Sequence, residues 1–323
     1  MSLKTQNLTF KNLEIMTTEN ATTGIVYTTT GNRQRGEVQS YHYKPAPLFL
    51  NKTKHRIDIA GLKIAEQRTA IKFDGADYES RFTVGFEIEK NQLHRGAVRE
   101  YELFCGFERD SSCGYEAVTH ILPLLPNGKW KTKVFDMVLK AEKIIDDRYS
   151  PSDKRCGGHI TIACDGLSGN DLREAVRKNA GVILALFRKR LNNVYCGANR
   201  RLEEANMSGT YNSASCSHYN YDGWHSKYQT ALVKGNCLEF RVPSKFESVK
   251  QTMRRYELFY ELVNFSVNNP NASHETFLKR ITPIIVSMYN GDKTKADEIL
   301  KLARHFQKFI LKGTISPEIQ GFL

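Results

Sequence analysis

Apolar and polar positions alternate over residues 81–89, RFTVGFEIE. Phe82, Val84, Phe86 and Ile88 point one way, and Thr83, Gly85, Glu87 and Glu89 the other. A period of two predicts a half-buried strand, with both carboxylates on its polar face roughly 7 Å apart along the chain. The same alternation predicts strands over 100–107, over 115–122 with Glu116, Val118 and His120 on one face, and around His159 in CGGHITIACDG. A further strand over 237–243 puts Leu238 and Phe240 on its buried face and Glu239 and Arg241 on the other. Pro123 and Pro126 are expected to end the 115–122 strand. Near the start, a turn at Gly31-Asn32 leads into a strand with Val38, Tyr41 and Tyr43.

Helical spacing takes over elsewhere. Val134, Val138, Ala141 and Ile145 predict an amphipathic helix over 131–149. Leu172, Ala175, Val176, Val182, Leu186 and Leu191 predict one long helix over 170–193. Ser244 with Glu247 three residues on has capping-box form and is expected to open a helix reaching about residue 268. Two more follow, over 273–289 and 293–311, the last with Ile299, Leu302, Ala303, Phe306, Phe309 and Ile310 in one stripe. Residues 195–225 read as a loop-rich stretch. Half-polar strands separated by helices predict an α+β fold, a strongly curved antiparallel sheet with helices packed outside it. The expected organisation is a mixed N-terminal segment over 1–77 packed on the core, a core over 78–268, and a C-terminal helical extension over 269–323.

Composition narrows the class. At 40% hydrophobic and 25% charged, the 323 residues read as globular. No apolar run approaches a membrane span, and the N-terminus lacks the layout of a signal peptide. Seven scattered cysteines fit a reducing cytoplasm and lack zinc-site spacing. The net charge of +12 admits an anionic partner: nucleic acid, nucleotide phosphates or an acidic substrate.

The polar strand faces supply the chemistry. Together they present Glu87, Glu89, Glu116, His159, Glu239 and Arg241. Carboxylates gathered in a low-dielectric site repel one another, so bound cations must neutralise them. Hard oxygen donors suit Mg2+ or Mn2+.

The order GFEIE, DSSCGYEAVT, CGGH, LEFR resembles the amidoligase family, of the carboxylate–amine ligase superfamily that includes glutamine synthetase and glutamate–cysteine ligase. The resemblance covers residues 82–262. It implies a glutamine-synthetase-like catalytic sheet and ATP- and Mg2+-dependent (or Mn2+-dependent) amide-bond formation through an acyl phosphate. Glu89 and Glu116 would hold one metal, and Glu87, His159 and Glu239 the other. Arg241 would meet the transferred phosphoryl group, so that Arg241, Glu239 and Glu116 carry the catalysis. Arg200 is a further phosphate or carboxylate contact, while Asp110, Ser111 and Tyr115 shape the site or receive the amine. Arg188 and Arg190 are expected to be surface or anion-steering groups. The family has a second histidine where this chain has Thr161, whose hydroxyl can still donate to a phosphate. The substrates would be a carboxylate and an amine, free or on a peptide or protein. The residues alone leave two other classes open, a basic nucleic-acid-binding protein without catalysis and a metal-dependent hydrolase.

Overall fold

The structure, a computed structural model, describes residues 26–28, 37–39, 58–59, 62–63, 81–94, 103–110, 113–119, 122–126, 130–164, 166–191, 230–234 and 237–323. Four short strands come first. β1 (Val26–Thr28) pairs parallel with β2 (Glu37–Gln39), and β3 (Asp58–Ile59) pairs antiparallel with β4 (Leu62–Lys63). The expected turn at Gly31-Asn32 and the 195–225 stretch lie outside the described residues.

The main sheet is built from β5 (Phe82–Lys90), β6 (Phe104–Asp110), β7 (Gly114–Thr119), β8 (Leu122–Pro123), β9 (Gly158–Cys164), β10 (Ala231–Lys234) and β11 (Cys237–Phe240). Its order is β10-β11-β9-β5-β7-β6, with β8 on β5. Antiparallel pairing joins β10 to β11, β5 to β7, β6 to β7 and β5 to β8. This is the expected α+β class. By chain contacts the molecule forms two units, Met1–Cys156 with Thr161–Leu167 and Lys245–Val249, and Gly157–Ile160 with Ser168–Ser244 and Lys250–Leu323. Strand β9 is divided between them, its first residues going with one unit and Thr161 onward with the other.

In the first unit β5 departs from its sequence reading. Every residue from Phe82 to Lys90 is buried, so the strand is covered on both faces instead of half-exposed. Lys90 continues the apolar row of Val84, Phe86 and Ile88. Its ammonium donates to the carbonyls of Ile145 (2.6 Å) and Phe246 (2.7 Å) and to Asp147 Oδ1 (2.7 Å). Phe86 meets Phe246 edge to face at 5.5 Å. Leu122 and Pro123 do not end β7 but form a strand of their own, with Pro123 opposite Thr83. The expected helix over 131–149 is two pieces, α1 (Trp130–Lys140) and α2 (Glu142–Ile145). Ala141 between them, at φ −86° and ψ 12°, leaves the helical region, and the Ile145 carbonyl beyond it serves Lys90.

The second unit also revises two helices. The expected 170–193 helix breaks into α3 (Gly169–Arg177), α4 (Gly181–Leu186) and a 3-10 turn over Arg188–Arg190. Gly181 causes the break from outside. Its N–H donates to Gln307 Oε1 at 2.9 Å, and a Cβ on it would lie 2.4 Å from the Ala303 carbonyl oxygen. Ser244 opens no helix. Its carbonyl and hydroxyl take the Arg255 guanidinium, Gly157 bridges to it, and α5 (Val249–Asn268) begins later. α6 (His274–Met288) and α7 (Lys293–Lys312) stand as expected, capped by Ser273 and Asp292, with Gly313 at φ 70° closing α7. α8 (Pro317–Gln320) follows. α3 packs on the β10–β11 hairpin.

Candidate metal centre

Glu87 and Glu89 leave the same face of β5, because residues two apart on a strand share a side. Register sets Glu89 directly opposite Glu116 on β7, and Glu87 opposite Val118. Directly opposed residues share a face at a Cβ separation of about 5 Å. Three carboxylates therefore come from one face of a two-strand ladder. Glu87 and Glu116 are buried almost completely, at 1% and 2% exposure, and Glu89 is buried too. A solvated acidic face is excluded by this burial. Beyond Glu116, Glu108 on β6 is its register partner on the other side, an acid that strand periodicity alone does not connect to the others.

His159 and Thr161 alternate along β9 onto one face, and both are buried. One ligand atom from each of Glu87, Glu116 and His159 lies within 4.8 Å of the other two. Two carboxylate oxygens and an imidazole nitrogen at that spacing match the mixed donor set of a divalent cation, with Mn2+ tolerating the nitrogen better than Mg2+ does. The Thr161 hydroxyl is buried and finds no hydrogen-bond partner among the described residues. A buried hydroxyl left so is costly, and a ligand oxygen would satisfy it.

Glu239 sits on β11 with no exposure, beside the His159 ring and between two cations. Oε1 accepts from Arg241 Nη1 at 2.7 Å and lies 3.6 Å from His159 Nδ1. Oε2 lies 2.5 Å from the Lys234 ammonium. Lys234 is the member that strand-by-strand reading passed over. The signal was the two-residue Gly235-Asn236 interval between two apolar runs, a hairpin cue that sets Lys234 diagonally across from Glu239. Register bears this out, with Lys234 opposite Cys237 and Leu232 opposite Glu239.

The remaining candidates scatter. Arg188 donates to the Ala185 carbonyl at 3.0 Å, approaches Glu298 at 3.6 Å and lies over Phe322. It is a helix-packing cation. Arg190 is half-buried. Tyr115 stands on β7 opposite Lys90 and Arg109. Arg200 and Ser111 lie outside the described residues. Asp110 closes the β6–β7 hairpin opposite Gly114. Cys113, Cys156, Cys164 and Cys237 are buried. No helix among the described residues is long and apolar enough to cross a membrane. No protein-family model matches the chain, and no curated protein sequence matches it.

Proposed function

We propose that this protein is an ATP- and divalent-metal-dependent carboxylate–amine ligase with a glutamine-synthetase-like catalytic sheet, working in the cytoplasm. The observation that carries the reading is the convergence of Glu87, Glu116 and His159, all buried, on one point of an antiparallel sheet. In this reading those three residues hold a divalent cation. The cation supplies charge screening, without which a phosphoryl group does not approach a carboxylate. Glu89, opposite Glu116 in register, adds an oxygen donor beside them. The Thr161 hydroxyl is the donor to a bound oxyanion that its burial calls for. Arg241 stays charged at any working pH and can only stabilise negative charge. The +12 net charge favours the encounter with an anionic nucleotide. The Glu, Glu, His donor set, with no thiolate, supports Mn2+ or Mg2+ in preference to a soft metal.

The test is ADP release by the full chain with Mg2+ or Mn2+, ATP and pools of carboxylic acids and amines, read beside product masses. ADP is expected only when both metal and an acid are present. Glu116→Gln should reduce turnover by about two orders of magnitude or more, in line with loss of a catalytic electrostatic group, and weaken Mn2+ binding followed by electron paramagnetic resonance. ADP release that needs no acid, or a chain that turns over no ATP yet binds RNA or DNA in a salt-sensitive way, would sink the ligase reading.

A further inference from the structure

Cys113 and Cys156 lie far apart in sequence and meet within the first unit, both buried. Cys113 stands between β6 and β7, and Cys156 ends the segment that leads into β9. Asn91, just past β5, ties both segments down. Its side-chain amide donates to the Cys113 carbonyl at 3.0 Å, and its backbone N–H donates to the Pro151 carbonyl at 2.9 Å. Gly114, at φ 113°, lets the hairpin come this close, since a Cβ on it would lie 2.8 Å from the Asn91 carbonyl oxygen. The Cys156 N–H in turn donates to the Asp153 carbonyl at 3.2 Å. With both backbones held, the sulfurs meet. Cys113 Sγ donates to the Tyr115 carbonyl at 3.4 Å, and the two thiols are hydrogen-bonded to each other. Neither belongs to a disulfide. The bond from Cys113 holds the Cys156 pKa below the ordinary thiol value, against burial, which pushes it up. The thiolate is the nucleophilic form of cysteine. A buried cysteine packs as a small hydrophobe and needs no second sulfur for that. Two sulfurs brought together from separate segments are what a disulfide requires.

We propose that Cys113 and Cys156 are a reversible redox pair, a modification site at which hydrogen peroxide forms a disulfide between the β6–β7 hairpin and the segment before β9. The Cys156 thiolate attacks one peroxide oxygen. The O–O bond breaks, the other oxygen leaves as water after taking up a proton, and Cys156 becomes a sulfenic acid. The Cys113 sulfur then attacks the Cys156 sulfur. The S–O bond breaks, and the oxygen leaves as a second water with the Cys113 proton. The two thiols give up two electrons and the peroxide takes them. A dithiol reductant reverses the bond by thiol exchange. The oxidant is water-sized, as two buried thiols require. Cys113 stands three residues before Glu116, and Cys156 three before His159. The bond therefore constrains the chain just ahead of two of the three proposed metal donors. Control of metal binding by the bond rests on the proposed metal centre, whereas the redox pair itself does not.

The test treats the full wild-type chain with hydrogen peroxide, alkylates the remaining thiols and maps the peptides by mass spectrometry. A linked pair of peptides carrying Cys113 and Cys156 is expected as the main oxidised product, lost again on treatment with dithiothreitol. In Cys113→Ser the partner sulfur is gone, so Cys156 should be trapped as a sulfenic acid by dimedone. Cys113 and Cys156 that stay alkylatable under peroxide, that oxidise separately without linking, or that pair with other cysteines overturn the proposal, and none of these outcomes depends on a variant that folds. Mn2+ binding followed by electron paramagnetic resonance then compares the reduced and linked forms. The donors converge in the reduced protein, so the linked form should bind about five-fold more weakly or worse, the lower end of coupling between two sites. A linked form that binds Mn2+ as well as the reduced one keeps the redox pair and overturns its control of the metal. A chain that forms the link but binds no Mn2+ in either state supports the redox pair and sinks the metal centre. Mn2+ binding in a chain that forms no link does the reverse.

Discussion

Lys90 shows how much a single residue can hide from its sequence context. It follows the acidic pair of β5 and resembles a solvated lysine closing an exposed strand. In the fold it is fully buried, and three acceptors surround its ammonium. Burial drives its pKa down, against the opposing pull of Asp147. Burial pushes the Asp147 carboxyl up, but hydrogen bonds from Lys245, Lys90 and Ser152 outweigh it and hold it below its ordinary value. Lys90→Met keeps the apolar stem and removes the charge. It strands two buried carbonyls but leaves Asp147 paired with Lys245 at 2.7 Å. The expected loss is therefore at the lower end for breaking a buried ion pair, about 3 kcal/mol. A urea unfolding midpoint that falls at constant slope would show it, and a stability within 0.5 kcal/mol of wild type, the range of ordinary surface changes, would refute the anchoring role.

At the level of elements, α4 is the discriminating case. Propensity alone says that Gly181→Ala should stabilise the helix by about 1 kcal/mol. The structure reverses the sign. The new methyl would sit 2.4 Å from the Ala303 carbonyl oxygen and 2.7 Å from the Gln307 nitrogen, both backbone atoms of α7. Those atoms cannot yield without moving a helix, so the expected result is a loss of about 1–3 kcal/mol, as for overpacking. Thermal unfolding of the variant reads the sign directly. The same contact explains why the apolar spacing of 170–193 predicts one helix and the chain makes two. Periodicity records which positions are buried, but not that a neighbouring helix comes close enough to require a glycine and claims its N–H.

For the whole molecule the testable consequence is a dependence of stability on acid. His274 is half-buried beside Asn179, with Nδ1 at 3.4 Å from its side-chain oxygen, and its ring is tilted on Phe277. Burial lowers its pKa to about 4 from 6.5. Between those values the unfolded chain takes up a proton that the folded chain refuses, so stability falls as the pH falls through that window. From pH 7.5 to pH 5 the loss from this one group is about 2 kcal/mol. Urea midpoints at the two pH values should separate accordingly, and His274→Gln should shrink the separation. An unchanged separation in the folded variant would mean that other groups carry it. The path of the chain makes local truncation a poor way to probe such effects. The unit containing β5 needs the 245–249 segment, which joins it far along the sequence.

Alternation by itself determined the main strands, the class of fold and the acidic face of β5, because a period of two is local and survives any packing. It also brought together Glu87, Glu116 and His159 as candidates, since each is a polar residue at a position whose neighbours are apolar. Which strand lies beside which is a matter of long-range hydrogen bonding, and only the tertiary structure decided it. Pairing put Glu116 opposite Glu89 and covered both faces of β5. Burial followed from that pairing and made the difference between a wet acidic edge and a dry cluster. Charges in a dry cluster must be answered by cations; Arg241 and Lys234 reach Glu239 through local patterns, strand alternation and a two-residue hairpin, whereas the dryness that makes those contacts matter comes from the tertiary packing.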